Sequence, residues 1–240
     1  MELQRLDKII ASTGRWSRRE VKLLVKQGRV LVDGVPARAP EDKADPATAE
    51  ISVNGEVLTW RKNTWVMLNK PAGYLSATED GRGPTVLDLL TPELRKQGLF
   101  PVGRLDKDTE GLLLLTNEGG LAHDLLSPKH HVDKVYYART EGRVTEADCA
   151  AFAEGITLGD GLECQSAGLE ILSASEGESE VLVTLREGKF HQVKRMLASR
   201  GTPVTYLERI SMGNLTLDRS LARGEFRFLT DSELENLSKR

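Results

Sequence analysis

The chain has 240 residues, 39% of them hydrophobic and 29% charged, the make-up of an ordinary globular protein with room for one large domain or two modest ones. No apolar run approaches the roughly 20 residues of a membrane span, and the start, Met1-Glu2-Leu3-Gln4-Arg5, lacks a signal peptide's apolar stretch, so a cytoplasmic location without a membrane contact is expected. The net charge of −3 conceals an asymmetry: residues 1–30 hold eight Lys/Arg against three acids, and the rest hold 25 against 33, which suggests either a local polyanion contact or a solvated helix face.

Leu3, Leu6, Ile9 and Ile10 have helical spacing and predict a first helix. Ser17-Arg18-Arg19-Glu20 fits a capping box that starts a second, with Val21, Leu24 and Val25 inward and Gly28 at its end. Arg29–Val32 alternates like a strand and Asp33-Gly34 supplies a tight hairpin turn. A polar stretch rich in Pro, Ala and Asp covers 36–49, a strand is expected over Ile51–Leu58 around Asn54-Gly55, and 59–64 reads as a linker. Beyond it, strands are expected at Trp65–Leu68, Leu112–Leu115, Lys134–Thr140, Glu180–Leu185 and Glu225–Leu229. Helices are expected from Thr145 to near Gly155, over His191–Arg200 with Val193, Met196 and Leu197 inward, and after a cap at Thr230. The strands are joined by long irregular connections rather than regular β-helix-β repeats. The expected class is α+β: a small N-terminal α/β module, then a largely antiparallel mixed sheet flanked by helices. Cys149 and Cys164 have no metal-type neighbours and read as two reduced thiols.

From Arg5 to Gly34 the chain reads R-L-D-K-I-I-A-S-T-G-R-W-S-R-R-E-V-K-L-L-V-K-Q-G-R-V-L-V-D-G. This stretch resembles the S4 RNA-binding domain. The resemblance implies an RNA-binding domain at 1–60 in which Arg5, Lys8, Arg15, Arg18, Arg19 and Lys22 face phosphates. The capping box puts Arg18 and Arg19 in a first helical turn, where the dipole disfavours cations by a few tenths of a kcal/mol. That cost fits side chains placed for a partner.

Residues 102–117 read V-G-R-L-D-K-D-T-E-G-L-L-L-L-T-N, with acids crowded against a core strand. A calcium loop, a solvated turn and a catalytic carboxylate compete. Asp106, Asp108 and Glu110 with Gly111 match the first half of an EF-hand loop, but Asn117 stands where a bidentate Glu is required and no helix leads in. The solvated turn stays open, although Gly103 and Gly111 bracket the acids as a constrained backbone would. No Walker phosphate loop and no G-x-S-x-G elbow occurs, and His123, His130, His131 and His191 lack metal-ligand spacing.

The run G-R-L-D-K-D-T-E-G-L-L-L-L-T, with L-N-K-P-A-G-Y at 68–74, K-V-Y at 134–136 and E-G-K-F-H-Q-V-K-R-M at 187–196, resembles the signature of pseudouridine synthases. S-P-K-H-H-V-D-K-V-Y at 127–136 and H-Q-V-K-R-M most resemble the RsuA type, which modifies small-subunit ribosomal RNA. The resemblance implies a catalytic domain at 61–240 that breaks the uridine N1–C1′ bond, turns the uracil and joins C5 to C1′, with no cofactor and no metal. It gives Asp106 the carboxylate role at C1′ and Tyr136 the stacking role and the final C5 base. Lys194 pairs with Asp106, Arg104 fills the space left by a flipped uridine, and Arg195 meets phosphate. Tyr137 would face the other way. The implied partner is ribosomal RNA, within a partly assembled small subunit, and the expected state is a monomer. A large-subunit synthase of the same family and a non-catalytic S4-type assembly factor remain as alternatives.

Overall fold

Ser17 and Glu20 begin the helical head as their spacing predicts. In the computed structural model, which describes residues 3–81 and 83–238, Ser17 Oγ accepts from the Glu20 N–H at 3.3 Å and the Glu20 carboxylate accepts from the Ser17 N–H at 2.7 Å. Helices α1 (Leu6–Ser12) and α2 (Arg18–Lys26) bury Leu6, Ile9, Ile10, Val21, Leu24 and Val25 against Val30, Ile51 and Val53. Leu3, expected in the α1 stripe, lies outside the helix and is exposed. The reason is local: Gln4–Arg5 pairs as a strand with Lys43–Ala44, and the Leu6 and Asp7 amides donate to the Asp42 and Pro40 carbonyls, so the helix starts later.

Asp33 and Gly34 both have positive φ (50° and 79°), as do Asn54 and Gly55 (58° and 81°). Both pairs therefore make the mirror-image turns that suit strand twist. The expected single strand over Ile51–Leu58 is in fact a hairpin, Ile51–Val53 with Glu56–Val57. With Val30–Val32 and Val35–Pro36 it forms a four-stranded antiparallel sheet.

The chain divides into two compact units, one reaching to Thr64 and including Leu90–Leu99, the other Trp65–Leu89 with Phe100 onward. Residues 59–64 thus belong to the first unit. Gly14 (φ 77°) shows how closely Leu90–Leu99 packs there: a Cβ on it would meet the Glu93 carbonyl oxygen at 2.0 Å.

The second unit is built on a sheet whose main strands are β1 (Trp65–Lys70), β2 (Glu110–Thr116), β3 (Lys134–Glu141), β4 (Gly168–Ala174), β5 (Glu178–Leu185), β6 (Val204–Met212) and β7 (Phe226–Phe228). Their spatial order is β4-β5-β3-β6-β2-β1-β7, antiparallel throughout except for the parallel β6/β2 pair. Leu112–Leu115 are all fully buried, which is why β2 reads as an unbroken apolar run. Each such leucine contributes about 1.5–3 kcal/mol by leaving water. Helices α3 (Gly119–Leu126), α4 (Glu146–Glu154), α5 (Gln192–Ser199) and α6 (Asp231–Ser238) complete the unit. One core gathers Ala138, Phe152, Val181, Val183, Met196 and Leu197; a second gathers Trp65, Met67, Leu112, Leu114, Leu125 and Leu237.

The parallel junction lies where the acidic turn enters β2, with Glu110 opposite Glu208 and Gly111 opposite Arg209. Gly111 (φ 96°) lets β2 approach β6 so closely that a Cβ would meet the Arg209 carbonyl oxygen at 2.3 Å. Arg209 in turn registers with Tyr136 on β3, beside a register shift between Val135 and Tyr136. The acidic turn and Tyr136 are thereby tied to one strand, β6, from its two sides.

Candidate active site

Lys70 ends a strand whose six residues are all buried. Its ammonium donates to four backbone carbonyls, those of Thr109 (2.8 Å), Pro71 (3.1 Å), Asp106 (3.1 Å) and Lys107 (3.3 Å). Three of the four belong to the acidic turn, which the Thr109 N–H closes onto the Asp106 carbonyl at 3.1 Å. A side-chain ammonium thus holds this D-x-D-x-E-G turn from beneath. Burial pushes Lys70 down to about 8, against the pull of Asp108, Glu110 and Asp106. Sequence reasoning misses Lys70 as a site residue; its signal is a lysine at the end of an otherwise apolar strand, since lysine is almost never fully buried without partners.

The turn holds Asp106 at the edge of a cavity, its side chain 28% exposed. Lys194, near the start of α5, places its ammonium 3.1 Å from Asp106 Oδ2 and 2.5 Å from Asp108 Oδ1. Burial works to raise the Asp108 carboxyl, but the Lys194 hydrogen bond and charge outweigh it and hold it below its ordinary value. The lysine is thus a bridge between two carboxylates, with a partner in Asp108 that the spacing does not disclose. His191 Nε2 lies 3.5 Å from Asp106 Oδ1. This third group at the carboxylate is also absent from the sequence reading.

Tyr136 lines the same cavity as Asp106, together with Arg104, Leu185, His191 and Leu207. Its ring is half-buried and packs against the core under β3 and β5. Tyr137, next along β3, meets the Tyr206 ring edge-on at 6.0 Å, the opposite facing that strand alternation predicts. Arg104 is exposed at the cavity. Three segments far apart in the chain thus place a carboxylate and a phenol on one cavity, with the Lys194 ammonium on the carboxylate. Such a set can stabilise a sugar carbon that gains positive charge, stack a flat ring and accept a proton. Arg195, expected at phosphate, pairs with Asp160 at 2.6 Å.

The six cations of the head are not equivalent. Arg5, Arg18, Arg19 and Lys22 line one cleft, with Asp7 among them. Asp7 is buried and takes a two-pronged bond from Arg5, 3.0 Å on each oxygen. Those bonds, ahead of the opposing effect of burial, hold the Asp7 carboxyl below its ordinary range. Lys8 is exposed outside that cleft. Arg15 is engaged by Glu56 through two bonds of 2.8 and 2.5 Å and lies 4.6 Å over the Trp16 ring.

Residues 64–199 match the RNA pseudouridylate synthase family and residues 4–48 the S4 domain. A Bacillus subtilis (strain 168) protein named an uncharacterized RNA pseudouridine synthase, YtzG, is 48% identical over 235 residues, 98% of each chain. The ribosomal small subunit pseudouridine synthase A of Haemophilus influenzae is 39% identical over 237 residues, covering 98% of this chain and 100% of that one. A crystal structure of a pseudouridylate synthase, 39% identical, aligns with a TM-score of 0.68 over 97% of this chain and 99% of its own.

Proposed function

This chain belongs to the RNA pseudouridine synthases of the RsuA type, isomerases with an S4 head, and we propose that it converts a uridine of small-subunit ribosomal RNA to pseudouridine. The observation that carries the reading is the bridge of Lys194 to Asp106 at a cavity walled by Tyr136. Relatives of nearly the same length are named for the small ribosomal subunit, which supports the target class.

Asp106 serves C1′ of the ribose. The Lys70 carbonyl cage fixes its turn, and the Lys194 ammonium, 3.1 Å from Oδ2, holds the carboxylate in place as an ion pair. Tyr136 stacks on the uracil released from C1′ and takes the C5 proton once the new C5–C1′ bond has formed. A uridine in folded RNA must leave its stack, at a cost of a few kcal/mol. Arg104, exposed at the cavity mouth, fills the vacated space with its planar guanidinium. No energy source is required, because one glycosidic bond replaces another. The head, residues 1–60, holds RNA phosphates through Arg18, Arg19 and Lys22 in the shared cleft, with Arg5 braced by Asp7; exposed Lys8 joins them, whereas Arg15 is occupied by Glu56. Within 61–240, the unit of Trp65–Leu89 and Phe100 onward carries the chemistry. Arg195 contributes to phosphate only by leaving Asp160.

Depletion of the protein from its own cells, followed by pseudouridine mapping across ribosomal RNA, tests the reading. Loss at one small-subunit uridine is expected. Loss at a large-subunit uridine instead moves the substrate to that particle, and no loss in either overturns the proposal.

A further inference from the structure

The turn between β5 and α5 is braced from several sides. The Glu187 carboxylate accepts from the Gln165 N–H at 2.9 Å and from Gln192 Nε2 at 2.6 Å, and pairs with Lys189 at 3.0 Å. Gln192 Oε1 accepts from the Lys189 N–H at 3.0 Å. His191 sits in the left-handed region (φ 50°, ψ 35°), a conformation that costs a non-glycine residue on the order of 1 kcal/mol and persists only when neighbours over-determine it. What this turn presents to solvent is Phe190, 74% exposed, the most exposed large apolar side chain among the described residues. An open phenylalanine forgoes about 1.5–3 kcal/mol of burial. Its ring stacks on the His191 imidazole, with centroids 3.8 Å apart and planes 17° from parallel. His191 in turn lines the cavity and reaches Asp106. An aromatic surface therefore runs outward from the carboxylate, beside the cations of Arg104 and Lys189 on the same cavity.

We propose that the Phe190–His191 stack is a platform for an unpaired RNA base that flanks the target uridine. The inference rests on the RNA-modifying function above and adds a binding residue to it. Flipping one nucleotide leaves its neighbours without a stacking partner. A flat ring stacked on the imidazole that lines the cavity supplies one, and base–aromatic stacking is worth about 1–3 kcal/mol with little regard to base identity.

The test compares Phe190→Ala, Phe190→Leu, Phe190→Tyr and Phe190→Trp in the full-length protein, on small- and large-subunit ribosomal RNA transcribed in vitro. Alanine and leucine are expected to raise KM and the RNA dissociation constant by about 5- to 150-fold, the equivalent of that stacking energy. Single-turnover rate at saturating RNA is expected to stay within about twofold. Tyrosine and tryptophan keep wild-type affinity, and RNA quenches the added tryptophan emission. Leucine restoring affinity as well as tyrosine, or alanine binding as tightly as wild type while wild type forms pseudouridine, overturns the platform alone. Wild type forming pseudouridine in neither RNA, whether free or within a partly assembled subunit, overturns the functional reading and the platform with it.

Discussion

Asp106 and Glu110 lie on one short segment, yet their carboxylates occupy opposite settings. Glu110 Oε2 accepts from the Tyr206 hydroxyl and pairs with Arg223 Nε, each at 2.9 Å, and Oε1 faces the Ala72 N–H at 3.4 Å. Arg223 continues to buried Glu208 at 3.0 Å and to Asn69, while Arg219 closes on Glu208 at 2.9 Å. Within this network Tyr206 is pushed up to about 12, first by burial and then by its bond to Glu110, so the phenol stays a donor. Asp106, by contrast, turns its carboxylate to Lys194 and His191 and faces a cavity. A closed network spends its hydrogen-bonding capacity on the fold; an open pair keeps capacity for a substrate. The difference comes from what each residue meets: Glu110 opens β2 beside β6, whereas Asp106, within the turn, meets Lys194 of α5 and His191.

The contrast breaks most sharply at Asp106. Asp106→Asn keeps the shape and removes the charge, and is expected to lower single-turnover pseudouridine formation by on the order of 10⁴-fold with RNA affinity and melting temperature near wild type. Retention of a tenth of the wild-type rate would remove Asp106 from the essential role. Tyr136→Phe comes next. It keeps the stacking ring and loses the phenolic oxygen, so RNA labelled with tritium at C5 should be bound and cleaved at N1–C1′ but release little tritium, with Tyr137→Phe near normal as the control. Full release from Tyr136→Phe would leave that residue a stacking role only.

Lys70→Met sharpens the comparison from beneath. It leaves four carbonyls without their shared donor, and a loss of about 1–3 kcal/mol of stability is expected, with a slower reaction as the Asp106 turn loosens. The pH dependence carries a distinct sign. Lys70 is pushed from its ordinary 10.5 down to about 8 by burial, so between those values the unfolded chain binds more protons than the native one. The penalty for burying the charged ammonium is present below about 8 and is relieved as pH rises toward 10.5. Urea titrations at successive pH values should show wild type gaining stability relative to Lys70→Met across that window; a gain that appears only on acidification would contradict the buried ammonium. Arg223→Ala gives the smallest effect. The guanidinium is about one-third exposed, 35%, so a loss of about 1–2 kcal/mol is expected, seen as a lowered melting temperature with an unchanged single-turnover rate. A rate that falls with stability held would place Arg223 in the chemistry.

Much is legible in the chain because its causes lie within a few residues. The Ser17–Glu20 box, the Asp33-Gly34 and Asn54-Gly55 turns and the Leu112–Leu115 strand each follow from neighbouring side chains and backbone sterics. Family motifs point to Asp106, Tyr136 and Lys194, although spacing alone leaves the acidic turn open. What stays hidden depends on long-range contact. β6 is not foreseen because Glu208 and Arg209 interrupt its apolar pattern, and their burial makes sense only beside Arg223, Arg219 and the Leu112 carbonyl. Lys70 reaches Thr109 across 39 positions and Lys194 reaches Asp108 across 86. Likewise, the charge pattern that suggests RNA-facing cations cannot show that Arg15 meets Glu56 or that Arg195 meets Asp160. Local geometry and propensity act within a turn or two and so are written along the chain. An ammonium finds its carboxylate or its carbonyls only after strands have paired, because the partner's position is set by register and packing rather than by sequence distance.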